Sequence, residues 1–385
     1  MAFEHYLQRG GQRLRLGYTT GTCAALATQA ATYALLGNHA PTQAALVTPK
    51  GIEVEVDIVD MHCDNTAASC AVAKDAGDDT DATDGLLIYA KVSKSDTPGI
   101  HIDGGCGVGR VTRPGLQQPV GSAAINNTPR AMIAEQAKQV ASVYGYTGGL
   151  DVLISIPRGE EIAALTFNPN LGIEGGLSIL GTSGIVEPQS VQALVDTIAA
   201  ELSMHAAEGQ RKLVVTPGNY GESFIHELFS TQSYPVVKCS NYVGETIDFA
   251  IEYGYESLLL IGHIGKFIKL AAGILNTHSH NADGRAEIIT AHAALHGISQ
   301  DTAQSLMHSV TTDAALHILE GLGLRQAVCA SIVERVQYHV GRRCRGKITV
   351  GAMIFSNEYG LLATSAEANA LLEKWHSEAG ALPSK

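Results

Sequence analysis

From Leu150 onward, short apolar runs alternate with helix-periodic stretches, and most of the runs stop at a glycine-bearing turn. LDVLISIPRG, KLVVTPGNYG, YPVVKCSNY and SLLLIGHIG each read as a buried strand, with helical segments such as SFIHELFS and VGETIDFAIEYG between them. Strands that carry apolar residues without alternation need cover on both faces. Alternation with helices at this spacing produces βαβ units around a mostly parallel sheet. GGLSILGTSGIV reads as one further strand and Glu187 to Ala207 as a helix. Helices continue to about residue 340, and residues 347–355 with 360–364 form a closing hairpin.

The earlier part has a different rhythm. Tyr18 to Gly37 reads as a helix with threonine caps, an alanine-rich body and a glycine stop. Residues 45–48 and 52–59 flank a PKG turn and predict a hairpin, residues 86–92 a strand, and Pro129 to Tyr144 a helix with proline in its first turn. The expected fold is therefore α/β in two domains. An α+β domain over 1–148 precedes a mostly parallel, Rossmann-like α/β domain over 149–385.

Composition narrows the function. The 385 residues are 45% hydrophobic with a net charge of −12, which opposes broad nucleic-acid or anionic-membrane binding. Seven widely spaced cysteines contain no CxxC pair, so the spacing predicts neither a zinc site nor a disulfide framework. The polar start, MAFEHYLQRGGQRLRLG, lacks a signal-peptide core, and no apolar run approaches the roughly 18 residues of a membrane span. These features predict a soluble cytoplasmic protein.

Five turns carry glycine or small polar residues in the strand-to-helix sense: 157–161, 181–184, 218–221, 239–244 and 262–266. In open α/β sheets ligands bind at the carboxyl ends of strands, so this series predicts a cleft. Neither GxGxxG nor GxxxxGK[ST] occurs in it, which removes the nucleotide fingerprints. The stretch from Ser257 to Arg285 is the densest in chemistry. It sets His263, Lys266 and Lys269 at a strand-to-helix turn and ends in His278, His280, Asp283 and Arg285. His278, His280 and Asp283 can ligate a metal or simply close a helix end. The acidic run Asp75–Asp84 lacks the DxDxDG order of a calcium loop and reads as a solvated loop. Arg342 to Lys347 either meets an anion or balances nearby acids. Thr19 and Thr20, where a helix begins, have the donors to hold a carboxylate or phosphate. Residues 103–109, followed by Arg110 and Arg113, read as a loop able to close over a carboxylate-bearing ligand.

Seven segments, taken in order, carry a resemblance. They are GYTTGTCAA (17–25), DAGDD (75–79), GVGRVTRPGL (107–116), TFNPNLGIEGGLSILGTSGIVEP (166–188), GNYG (218–221), KCSNYVGE (238–245) and LLIGHIGKFIKLAAGILNTHSHNADGR (259–285). Together they resemble the cobalt-precorrin-5B C1-methyltransferase family over residues 15–360. The resemblance implies S-adenosyl-L-methionine as methyl donor. It also implies a cobalt-corrinoid substrate methylated at ring carbon 1 to give cobalt-precorrin-6A, in anaerobic cobalamin biosynthesis. Hand-over with neighbouring pathway enzymes is expected, and no nucleic-acid or membrane partner.

Within that reading, the donor's carboxylate and ribose meet either Gly218, Asn219 and Gly221 or Gly181, Thr182 and Gly184, with Glu222 or Glu245 on the ribose. The substrate's carboxylates need local cations in an acidic chain. Arg110, Arg113, Arg130, Arg158, Lys238, Lys266, Lys269 and Arg285 lie in or beside the matching segments. His263 is the candidate for a proton removed from the macrocycle. No protein-bound metal is expected, because the cobalt arrives with the substrate. Two other readings compete: a metal-dependent hydrolase using His278, His280 and Asp283, and a non-catalytic corrinoid carrier.

Overall fold

The computed structural model describes residues 3–37, 39–218, 221, 224–225 and 234–380 of a chain that forms two compact units, Met1–Ala193 and Leu194–Lys385. This division falls well beyond the expected boundary after residue 148. The strand Gly149–Ser155, expected to open the second domain, lies inside the first unit. There it pairs antiparallel with Leu87–Ser95 and parallel with Ile100–Gly104, satisfying both of its backbone edges.

The first unit is built on a five-stranded sheet in the order Val59–Cys63, Ala67–Ala73, Leu87–Ser95, Gly149–Ser155, Ile100–Gly104. Helix Thr20–Gly37 packs on this sheet and is buried along most of its length. Its small residues make that possible. Thr28 and Thr32 return their hydroxyls to the carbonyls of Ala24 and Thr28, so no polar atom is stranded. A Cβ on Gly21 would stand 2.7 Å from Pro129, so glycine there lets helix Asn127–Val143 approach closely. The expected hairpin is present as Gln43–Val47 paired with Glu53–Asp57.

GGLSILGTSGIV does not form the single strand expected of it. It contributes two short strands, Gly176–Leu177 and Ile185–Val186, which pair with different partners. The break lies at Gly181 and Gly184, whose φ values of 125° and 78° are incompatible with a continuous strand.

In the second unit the order is Val236–Lys238, Lys212–Thr216, Ser257–His263, Thr349–Ser356, Gly360–Thr364. The first four strands are parallel, and the last closes antiparallel as the predicted hairpin. Successive residues of the middle strand feed opposite faces. Leu258 and Leu260 join the core made with helices Val243–Glu252 and Arg325–Cys344, whereas Leu259 and Ile261 pack with Trp375 and Ala368 of helix Ala366–Gly380. Cover on both faces is the physical reason for the unbroken apolar run. No helix among the described residues is long and apolar enough to cross a membrane.

Candidate functional site

Because four strands of the second unit run parallel, Thr216, Lys238, His263 and Ser356 end at the same edge of the sheet. The turns after the first three bring Gly218, Gly221, Lys238, His263 and Lys266 to that edge. Gly221 is required sterically, since a Cβ would lie 1.7 Å from the Thr216 hydroxyl. Asn219 and Glu222 lie outside the described residues. Glu245 sits half-buried in the first turn of helix Val243–Glu252.

His263 is the residue that ends the middle strand and caps the turn Ile264–Phe267. Its Nδ1 accepts a hydrogen bond from the Gly265 N–H at 3.1 Å. The ring stands edge-on to Phe355, with centroids 5.6 Å apart. Burial pushes its pKa down, against the raising effect of Asp313, and the ring is therefore neutral near pH 7. The glycines beside it have a packing role. A Cβ on Gly262 would stand 2.3 Å from the Phe267 ring, so that glycine admits a buried aromatic.

Lys266 and Lys269 diverge. Lys266 is half-buried and has no hydrogen-bond or ion-pair partner among the described residues. Burial lowers its pKa, partly offset by the nearby Cys239. The Cys239 thiol is itself pushed up to about 12 by burial. Lys269 is only 3% exposed and spends its ammonium on the carbonyls of Thr277 (3.1 Å) and Ala282 (2.9 Å). Expected to meet the substrate, it is buried instead, as a strut under loop 277–282.

That loop is tied to the sheet edge. Thr277 N–H donates to the Asn241 carbonyl and its hydroxyl to Asn241 Oδ1, while Tyr242 and Asn276 form a bridge. Within it, His278 Nδ1 accepts from the His280 N–H, and Arg285 forms a two-point ion pair with Asp283. Among the described residues no three His, Cys, Asp or Glu side chains are grouped to hold a metal ion. A cavity of about 200 Å³ beside this loop is lined by Asp283, Arg285, Ser309, Thr311 and Thr312. It is below the roughly 300 Å³ at which whole small-molecule sites begin.

The candidates in the first unit are largely committed to internal bonds. Thr19 and Thr20 are buried against Gly181 and Gly184. Leu180 N–H donates to the Thr20 hydroxyl at 3.0 Å, Thr19 and Gly21 N–H donate to the Gly184 and Leu180 carbonyls, and Thr22 donates to Gly184 O. The helix start that looked open to an anion is thus closed by loop 180–184, with Thr182 left exposed on it. Arg110 pairs with both oxygens of Asp103. Arg130 donates to the Ile125 and Ile102 carbonyls, Arg158 faces Glu161, and Arg113 packs over Gly172.

The glycine-rich stretch 104–109 is a crossing point and not a loop able to close over a ligand. A Cβ on Gly107 would stand 1.8 Å from the Ile156 carbonyl, and one on Gly159 2.0 Å from the Gly107 carbonyl. The acidic run, expected to be a solvated loop, is a staple. Asp75 grips Arg15, Asp78 accepts from Arg15 N–H, Asp81 holds the buried Lys74, and Asp84 accepts from Ala76 N–H.

Asp313 escaped notice in the sequence. Its Oδ1 is buried without a hydrogen-bond partner among the described residues, and it lies within electrostatic range of His263. The only signal was its place after Thr311 and Thr312 at a helix start, a pattern that capping explains equally well.

Relatives supply independent information. The family described as CbiD matches residues 7–188, and CbiD, C-terminal domain, matches residues 276–366. The cobalt-precorrin-5B C(1)-methyltransferase of Ruminiclostridium cellulolyticum is 49% identical over 354 residues, 92% of this chain and 92% of that protein. The protein of the same name from Alkaliphilus metalliredigens is 44% identical over 375 residues, 97% and 98% of the two chains. A crystal structure of a cobalamin biosynthesis protein (CbiD) from Archaeoglobus fulgidus is 27% identical, covering 73% of this chain and 87% of that one at a TM-score of 0.40. With both family descriptions matched and such identity sustained over nearly the whole length, the chain belongs to the CbiD family, with these two methyltransferases among its relatives.

Proposed function

We propose that this chain transfers a methyl group from S-adenosyl-L-methionine to carbon 1 of cobalt-precorrin-5B, giving cobalt-precorrin-6A in anaerobic cobalamin biosynthesis. The observation that carries the reading is the 49% identity over 92% of both chains with a relative of that name. The donor supplies an electrophilic methyl on a sulfonium. As the C–S bond breaks and the new C–C bond forms, the sulfonium becomes a neutral thioether. Such an in-line displacement depends on alignment, so the chain's task is to hold two ligands in register and exclude water.

The second unit is our choice for the donor, with its mostly parallel sheet read as Rossmann-like. Ligands of open α/β sheets bind at the carboxyl edge, and here that edge carries Gly218, Gly221, Glu245 and the half-buried Lys266. These residues fit the donor's chemistry, with an ammonium for a carboxylate and a carboxylate for ribose hydroxyls. Lys238, Arg110, Arg113 and Arg285 remain the candidates for the substrate's carboxylates. Arg110 and Arg285 would have to exchange an existing carboxylate partner for a ligand's. Cytoplasmic location and hand-over of the corrinoid with neighbouring enzymes belong to the same reading.

Incubation with cobalt-precorrin-5B and methyl-labelled S-adenosyl-L-methionine tests it. One labelled methyl should appear on the corrinoid, with S-adenosylhomocysteine formed in equal amount. Failure of the label to transfer would remove the enzyme reading.

A further inference from the structure

His263 and Lys266 are three residues apart on one turn, half-buried at the carboxyl edge of the sheet. The Gly265 N–H can only donate, so His263 Nδ1 is an acceptor. The neutral ring then carries its proton on Nε2. Its one lone pair in the ring plane is already engaged, so it has none to offer a substrate proton. What it presents is a donor, Nε2–H, without a hydrogen-bond partner among the described residues. Lys266 presents a second donor with no partner among the described residues. Neither donor is sealed from solvent, so water meets both in the free protein, and a ligand that displaces that water must supply acceptors. A hydroxyl or amide would bring a donor of its own, whereas a carboxylate is acceptor-only and offers two oxygens.

We propose that His263 Nε2–H and the Lys266 ammonium together bind one carboxylate of a ligand, and that His263 serves as a neutral hydrogen-bond donor and not as a base. The proposal rests on the methyltransferase reading for the identity of the ligands. Both carry carboxylates: the donor on its amino-acid end, the corrinoid around its ring. Asp313 is the competing internal partner for the Nε2–H.

Calorimetry on the full chain decides, with S-adenosylhomocysteine and with a cobalt corrinoid polycarboxylate as probes. His263→Asn keeps an acceptor where Nδ1 stands but lacks the Nε2–H, and Lys266→Met removes the charge. Each should weaken one probe by about tenfold to a hundredfold, the effect of a charge-assisted hydrogen bond. If the donor's carboxylate is held, the loss falls on S-adenosylhomocysteine and disappears with its decarboxylated analogue. If the corrinoid's is held, the loss falls on the polycarboxylate and disappears with its methyl ester.

Unchanged affinity of both variants for both probes overturns the pair while leaving the methyltransferase reading intact. Wild-type protein that binds neither probe overturns both. A nitrogen NMR signature with the proton on Nδ1 overturns the pair without reference to any ligand. A direct His263–Asp313 bond, seen as loss of the Nε2–H signal shift in Asp313→Asn with probe affinity unchanged, also overturns it.

Discussion

Lys269 Nζ donates to the Ala282 carbonyl at 2.9 Å from a side chain that is 3% exposed. With the second bond to Thr277, one ammonium fixes both ends of loop 277–282. Lys269→Met keeps the apolar stem but strands two carbonyls. Each charge-assisted bond is worth about 1.5–3 kcal/mol, and we expect a loss of about 3 kcal/mol, with Lys269→Arg retaining part of it. Urea unfolding would measure this, and a Met variant as stable as wild type would refute the strut.

Acid should loosen the first unit. Burial raises the Asp75 and Asp81 carboxyls. Bonds from Arg15 and Gly77 to the first, and the charge and bonds of Lys74 and Thr83 at the second, outweigh it, so both pKa values are lowered. A carboxyl lowered on folding contributes stability above its unfolded pKa of about 3.9 and loses it as pH falls through the folded value. Thermal melts should therefore hold from pH 7 to about 5 and then fall steeply below about 4. Asp81→Asn should cost about 3 kcal/mol at pH 7, because it leaves buried Lys74 unpaired, and should flatten the acid limb.

Two glycines with similar φ separate backbone strain from crowding. Gly175 (φ 76°) has open space where a Cβ would stand, whereas Gly107 (φ 71°) faces the Ile156 carbonyl at 1.8 Å. Gly175→Ala should cost about 1 kcal/mol, the penalty of a left-handed alanine. Gly107→Ala should cost at least about 3 kcal/mol or prevent folding, because backbone must move. Equal melting temperatures for the two would refute the crossing-point role.

Alkylation should be selective. Cys63 and Cys106 are exposed, and the other five cysteines are buried. Burial pushes Cys23, Cys70, Cys239 and Cys329 up to about 12, leaving almost no thiolate at pH 8. Iodoacetamide at pH 8 should add to Cys63 and Cys106 in native protein and to all seven only after unfolding, as mass spectrometry would read.

Thr20→Val tests whether the helix start is a joint or a ligand site. The hydroxyl is occupied by Leu180 N–H. The change should therefore lower stability by about 1–3 kcal/mol with little effect on S-adenosylhomocysteine affinity. The opposite pattern, with stability kept and affinity lost, would return Thr20 to the binding surface.

What the sequence made legible follows from how local each cause is. The strand Ser257–His263 and the mostly parallel sheet around it were readable because burial on both faces imposes a continuous apolar run. The meeting of Gly218, Lys238 and His263 at one edge followed from the parallel sense alone. Lys266 and Lys269 look alike in sequence, and their different fates depend on a loop that returns from residue 277. That Gly149–Ser155 joins the first compact unit was hidden for the same reason, since its partners are strands earlier in the chain. Glycines were misread wherever their cause was a distant neighbour, as at Gly107 and Gly181.

The sheet order of the second unit has a consequence for synthesis. The middle strand Ser257–His263 gains its last neighbour only when Thr349–Ser356 has been made, five α-helices later. Until then the edge of a strand with the apolar run Leu258–Ile261 has unpaired amides and carbonyls, the condition under which chains pair wrongly with one another. A ribosome-bound chain halted before residue 349 should be aggregation-prone and dependent on a chaperone, while one that has passed residue 364 can close its sheet.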